Sequence, residues 1–350
     1  MKDRIGALDG WRGLAILLVL IDHAAELSHS SLLHKVTRVG ATGVGIFFAL
    51  SGFLITNLLL AQKEKLGHLN LPNFYTRRVF RIIPPVLVYL LTLALLRYWN
   101  YLQVTNHQLL SSIFLYRNYI PNDWNSGWYT GHFWSLMVEE HFYLFWPFLL
   151  ILTRGNVIVL STIALLDALW RAISFHYQII SVGWPPGRTD VRIDSLLWGC
   201  IMAIVLSNPK WRDLLKRRLT GVVILVLLGI DIVSNVIHGK HDYSFFEPII
   251  LALLLVWPIL YPESKLRAVL DTPFFVSIGK ISYSLYIWQQ FWLLYPGAPK
   301  AFAHVQDFPL NIVMAFACAT ASYYLIETPF IKIGRHVSQS LWGQKKRVHA

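Results

Sequence analysis

The stretch "ALDGWRGLAILLVLIDHAAEL", residues 7–27, decides how the chain is built. It is apolar enough for a membrane helix, yet Arg12, Asp22 and His23 stand inside it. A charged side chain at the centre of such a helix costs about 2.5–3.5 kcal/mol. A helix that keeps these groups either uses them or satisfies them against neighbouring helices.

The remaining sequence has the same character. Of 350 residues, 55% are hydrophobic and 14% charged, against about 25% charged in soluble domains. The composition therefore implies an integral membrane protein. Cys200 and Cys318 lie in separate apolar stretches and read as small buried residues, not as a disulfide or metal pair. The first apolar run lacks the small-residue cleavage site of a signal peptide, so it is expected to stay as a span.

Runs long enough to cross roughly 30 Å of hydrocarbon fall at 10–30, 41–61, 82–99, 132–153, 156–175, 190–207, 220–238, 245–261, 276–295 and 308–327. The expected fold is an all-α polytopic membrane protein with about ten transmembrane helices in one bundle. A shorter apolar patch at 109–120 reads as re-entrant or interfacial. With a cytoplasmic N-terminus, most of the 31 Lys and Arg fall on the inner side, in clusters such as Lys63–Arg81, Lys210–Arg218 and Lys332–Arg347. Both termini are then cytoplasmic, in a multi-pass protein of the cell membrane. The net charge of +12 is largely this topology signal, which argues against nucleic acid as a partner. A membrane domain over 1–335 and a basic cytoplasmic tail over 336–350 follow, and chemistry is expected in or at the bundle.

Arg12 and His23 lie eleven positions apart, which is about 20° past three full helical turns and about 16 Å along the axis. Both therefore face the same way, Arg12 at the cytoplasmic edge and His23 near mid-bilayer. Asp22 is one step round the helix, and Asp9 stands at i, i+3 from Arg12 as an ion-pair partner. Interhelical hydrogen bonding alone would account for such groups. A neutral mid-membrane histidine is also suited to accept a proton, and an arginine below it to receive an anion.

Other segments carry matching parts. "NFYTRRVFRIIPP" sets Arg77, Arg78 and Arg81 beside aromatics, just ahead of a helix and a Pro84–Pro85 break. A topology anchor explains the cluster, as does a phosphorylated, ring-bearing ligand held by forked guanidiniums. "HFWSLMVEEHFYLFWP" carries Glu139 and Glu140 about 10–12 Å into a span, towards the level of His23. These carboxylates could support the imidazole or pair with Arg12 or Arg192. Gly43, Gly45 and Gly52 read as close helix contacts. The aromatics of 115–134, Trp134 among them, form an interfacial belt or a saccharide platform, with Arg188, Asp190, Arg192 and Asp194 at the same rim. No dinucleotide fingerprint, nucleophile elbow, H-E-x-x-H pair or other metal-site spacing occurs.

Taken together, "LDGWRGLAILLVLIDHAA", "GVGIFFALSGFLI", "FYTRRVFRIIP", "FWSLMVEEHFYLFWP", "RTDVRIDSLLWGC" and "IGKISYSLYIWQ" resemble the acyltransferase 3 family of membrane O-acyltransferases. The motifs fall in order from residue 7 to about 290. The resemblance implies transfer of an acyl group, acetyl by expectation, from cytoplasmic acyl-CoA to a hydroxyl of an extracytoplasmic saccharide or related compound. It implies no bound cofactor, acyl-CoA being a co-substrate, and no metal. By position it makes His23 the catalytic base and Arg12 its partner in the Arg-x10-His motif. Arg78 and Arg81 become the R-x-x-R pair that meets the donor, with Arg77 adjacent. Glu139 matches the glutamate of S-L-x-V-E, and Arg192 and Asp194 match R-x-D-S-L. Asp9, Asp22, Arg192, Asp194 and Trp134 are supporting or acceptor-side candidates. Gly45 departs from the aspartate more often found there, and Trp11 from a leucine. The fused esterase-like domain of some relatives is not expected here.

Two other classes fit the sequence less well. A proton-coupled secondary transporter could use the buried His, Asp and Glu, but no internal repeat is visible. A glycerolipid-type acyltransferase would need H-x-x-x-x-D, which follows none of the 13 histidines.

Overall fold

The computed structural model describes residues 6–26, 39–120, 124–179, 187–238, 245–294, 302 and 304–342. These form helices α1 (Gly6–Glu26), α2 (Val39–Leu66), α3 (Leu71–Tyr98), α4 (Asn106–Ile113), α5 (Trp124–Gly131), α6 (Phe133–Leu152), α7 (Val157–His176) and α8 (Ile193–Ser207). There follow α9 (Pro209–Arg218), α10 (Gly221–His238), α11 (Glu247–Leu260), α12 (Lys265–Leu270), α13 (Pro273–Trp292), α14 (Leu310–Ser322) and α15 (Thr328–Trp342). No strand occurs among the described residues.

Among the described residues, five stretches are long and apolar enough to cross a membrane: α2, α3, Gly127–Leu152, α7 and Leu310–Trp342. The expected all-α architecture holds, and the expected count of ten spans is not confirmed on length and composition. Helix α1 keeps Asp9, Arg12 and Asp22 within its 21 residues. Helices α8 and α11 hold 15 and 14 residues, roughly 22 Å at 1.5 Å per residue, short of the roughly 30 Å hydrocarbon core.

The third expected span, 82–99, also changes. Helix α3 begins at Leu71, capped by the Asn70 side chain, and runs through Pro84 and Pro85 without a break. The three arginines thus lie inside the helix instead of ahead of it. A proline removes one intrahelical hydrogen bond, and here Tyr283 Oη on α13 donates to the Ile82 carbonyl at 2.8 Å, beside the proline turn. At the other end of the chain a five-residue π turn, Tyr323–Glu327, joins α14 to α15. Helix α15 then packs along α3 and carries helix through residue 342. Residues 343–350 of the expected tail, and 27–30 of the first expected span, lie outside the described residues. The patch at 109–120 is the end of α4 followed by a 3-10 turn at Arg117–Tyr119.

The site is positioned by helices that touch backbone to backbone. Helix α1 sits between α2 and α13, and α2 also packs on α8. A Cβ on Gly13 would overlap the Phe275 carbonyl, and one on Gly279 the Asp9 carbonyl. Gly52 and Gly199 meet Leu196 and Ala49 in the same way. With lipid outside, this contact of small residues is what holds such helices together. At Gly45 an added Cβ would come 2.6 Å from the terminal methyl of Leu251.

Candidate active site

Helix α1 presents Arg12 and His23 on one face, as their spacing requires. His23 Nδ1 is 2.7 Å from Gln289 Oε1 on α13, and the edge of Trp128 packs on its ring at 5.7 Å. An amide oxygen can only accept, so Nδ1 carries the proton and Nε2 keeps its lone pair. Asp22 is buried beside Gly40 of α2, close enough for its charge to act on His23. Arg12 pairs with Asp9 at 3.5 Å, the expected i, i+3 contact.

A cavity of about 130 Å³ opens between α1, α2, α3, α6 and α13. Its charged lining is Arg12, Arg78, Arg81 and Glu139. Glu139 accepts from Tyr143 Oη at 2.8 Å, and Tyr143 Oη also hydrogen-bonds Ser51 Oγ. The Arg78 guanidinium lies 3.4 Å from the centroid of the Tyr143 ring. Such a contact stabilises a desolvated cation by about 1–2 kcal/mol, and it leaves the N–H groups uncommitted. Arg78 Nε is buried and makes no hydrogen bond. The guanidinium is thus held by its face and offers its edge.

From the wall of the cavity a polar chain leads towards His23. Ser135 Oγ and Tyr286 Oη, both in the lining, are 2.5 Å apart. Tyr286 Oη donates to the His132 carbonyl at 2.8 Å, and the His132 N–H donates to Gln290 Oε1 at 2.9 Å. Gln290 adjoins Gln289, which holds His23.

The structure gathers Arg12, Arg78, Arg81 and Glu139 around one space, and it leaves other expected residues apart. Arg77 Nε donates to Ser338 Oγ on α15 at 3.3 Å, away from the cavity. His23 stands beyond the lining residues. The group on its ring is the Gln289 amide, whereas Glu139 serves Tyr143 and lies within electrostatic reach of Arg78 and Arg12. Arg192 lies over Trp134 at 5.9 Å. Asp194 is fully buried and pairs with Arg171 at 2.6 Å, and its backbone N–H donates to Asp167 at 3.1 Å. That pairing fastens α7 to the start of α8. Among the described residues no cluster of His, Cys, Asp and Glu has the makings of a metal site.

Gln289, His132 and Arg171 were missed from sequence. The signal for the first was the amide pair in "YIWQQF", two side chains that an apolar helix has no reason to bury unless they meet partners. Arg171, in an expected span, needed a carboxylate and had one in Asp194.

Residues 5–328 match the family model described as the acyltransferase domain. A Staphylococcus aureus (strain COL) protein named "Putative O-acetyltransferase" is 30% identical over 362 residues, which are 94% of this chain and 58% of that protein. The peptidoglycan O-acetyltransferase OatA of Listeria monocytogenes is 28% identical, over 95% of this chain and 57% of its own length. The O-acetyltransferase OatA of S. aureus (strain NCTC 8325 / PS 47) is 27% identical, over 93% and 57%. The chain spans a little over half the length of these curated relatives. No solved structure matches it. With a family model matching residues 5–328 of its 350, the chain belongs to the acyltransferase 3 family.

Proposed function

We propose that the protein is a multi-pass membrane O-acyltransferase that carries an acyl group, acetyl by preference, from cytoplasmic acyl-CoA to a hydroxyl of an extracytoplasmic saccharide or related compound. One observation carries this reading: Arg78 and Arg81 line one cavity with Glu139 and with Arg12, the residue that shares a face of α1 with His23. Arg78 and Arg81 would take the donor's phosphates, for which a fork of N–H groups is suited. Tyr143 and Glu139 hold Arg78 in place for that contact. The names of the relatives support acetyl as the group and a cell-wall saccharide as the acceptor class.

In this reading α1, α8, α10, α11 and α13 also lie in the membrane. With the five long stretches they make ten spans, and both termini fall on the cytoplasmic side, as the Lys and Arg distribution favours. The donor then enters at the Arg12 end and the acceptor approaches His23 from the other.

Chemistry follows from the tautomer. Gln289 holds the Nδ1 proton, so Nε2 takes the proton of the acceptor hydroxyl as its oxygen attacks the thioester carbonyl. Collapse breaks the C–S bond, and the CoA thiolate recovers the proton from the imidazolium. Asp22, close by, favours the charge that appears on the ring between those steps. The test uses inverted membrane vesicles from the native host, radiolabelled acyl-CoAs, and His23→Ala in parallel. Label should pass into a glycan or secreted fraction with wild type and fall at least 100-fold with the variant, on the scale of a lost general base. Transfer by the variant equal to wild type would overturn the reading.

A further inference from the structure

A second imidazole lies beside the first. His132, just before α6, is 4% exposed, and its ring sits among Tyr89, Phe133 and Tyr286 at centroid distances of 5.7, 4.4 and 5.6 Å. Its main chain is held from several sides. The N–H donates to Gln290, and the carbonyl accepts from Tyr286 Oη at 2.8 Å and Ser135 Oγ at 3.4 Å. The ring itself is different. Both Nδ1 and Nε2 are buried with no hydrogen-bond partner. The Gln290 side chain and the Ile287 carbonyl are close enough to act on the ring electrostatically, but neither reaches it with hydrogen-bond geometry. Buried polar groups in native proteins are nearly always paired, so this rigidly placed ring points to a ligand.

An independent orphan lies alongside. Gln289 is fully buried, its oxygen is taken by His23, and its Nε2 has no partner. Gln289 and Gln290 are adjacent on α13, one bound to His23 and the other to the His132 main chain. Trp128, one helical turn before His132, packs on His23 and donates through Nε1 to the Gln290 carbonyl at 2.9 Å. The two histidines therefore share one small cluster, bordered on the cavity side by Ser135 and Tyr286.

We propose that the His132 ring N–H and the Gln289 Nε2–H₂ form the oxyanion site of the transfer. This rests on the acyl-transfer reading above. As the acceptor oxygen bonds to the thioester carbon and its proton passes to His23, the C=O electron pair moves onto the carbonyl oxygen. His132 and Gln289 donate to that oxygen. When C=O re-forms, the C–S bond breaks and the thiolate takes the proton from His23. A base role suits His132 less well, because nothing orients its tautomer as Gln289 orients that of His23. Fixed donors with no ground-state partner are what stabilisation of a developing oxyanion requires.

The experiment uses the full chain in vesicles with acetyl-CoA as donor. His132→Phe removes both ring nitrogens and keeps an aromatic in the aromatic pocket, and His132→Asn restores a donor. Because Gln290, Tyr286 and Ser135 grip the main chain, the thermal stability of His132→Phe in detergent should stay near that of wild type. We expect kcat for His132→Phe to fall about 10²–10³-fold, with KM for acetyl-CoA within about threefold and His132→Asn at least tenfold faster than the Phe variant. A His132→Phe enzyme within about threefold of wild type in kcat, a loss confined to KM, or no recovery with Asn would each overturn this inference while leaving the acyl-transfer reading intact. A wild type inactive with every acyl-CoA would overturn both.

Discussion

Replacing Gln289 with leucine is the sharpest test of how the site works. The side chains are similar in volume, Gln289 is fully buried, and the substitution removes the one hydrogen-bond partner found on the His23 ring. In the resting enzyme that bond joins two neutral groups and is worth about 0.5–1.5 kcal/mol net. In the transition state the ring is an imidazolium, and a bond to a charged donor is worth about 1.5–3 kcal/mol. Without the amide oxygen, nothing fixes Nδ1 as the protonated nitrogen or turns Nε2 towards the acceptor. Only the difference, about 1–1.5 kcal/mol, enters kcat, so at about 1.36 kcal/mol per decade of rate the loss is about 5- to 13-fold. The Nε2–H₂ lost with it adds to that figure, so it is a lower bound. The donor arginines lie elsewhere, so KM for acetyl-CoA should hold. Initial rates against acetyl-CoA concentration in vesicles, with expression and thermal stability matched, read both quantities. A kcat within about threefold of wild type would refute the idea that Gln289 sets the state of His23.

Two further substitutions separate the arginines and the buried pair. Arg78→Ala and Arg81→Ala should each raise KM for acetyl-CoA about 10- to 100-fold, as loss of a charge-assisted contact of about 1.5–3 kcal/mol implies. Arg77→Ala, whose Nε meets Ser338, should change KM less than about threefold, and an equal effect from all three would show that α3 is a general basic surface. Arg171→Leu leaves Asp194 charged and buried and should destabilise the protein by about 3–5 kcal/mol, seen as a lower thermal midpoint in detergent. Arg171→Leu with Asp194→Leu should recover most of that loss, and a double variant no better than the single would contradict the pairing.

Much of the site was legible because a helix converts spacing into direction. The interval from Arg12 to His23 puts both on one face, and Asp9 lies one turn from Arg12, within ion-pair reach. The motifs singled out Arg78, Arg81 and Glu139 separately, and that the three line one cavity is a product of the packing. Hydropathy identified a membrane protein but did not set the lengths of its helices. Apolar content does not reveal where a helix stops, and α8 and α11 stop after 15 and 14 residues.

What the sequence determined alone was local: helical class, the facing of residues three, four or eleven apart, and the burial that apolar runs require. Which amide meets which imidazole joins positions 266 residues apart, and no periodicity encodes that. It depends on the register between α1 and α13, which close backbone contact at Gly13 and Gly279 sets. The same holds for Arg171 with Asp194, and for Arg77 turning to α15 while Arg78 turns to Tyr143. Neighbouring residues on a helix point about 100° apart, so packing partners alone decide which arginine reaches the cavity.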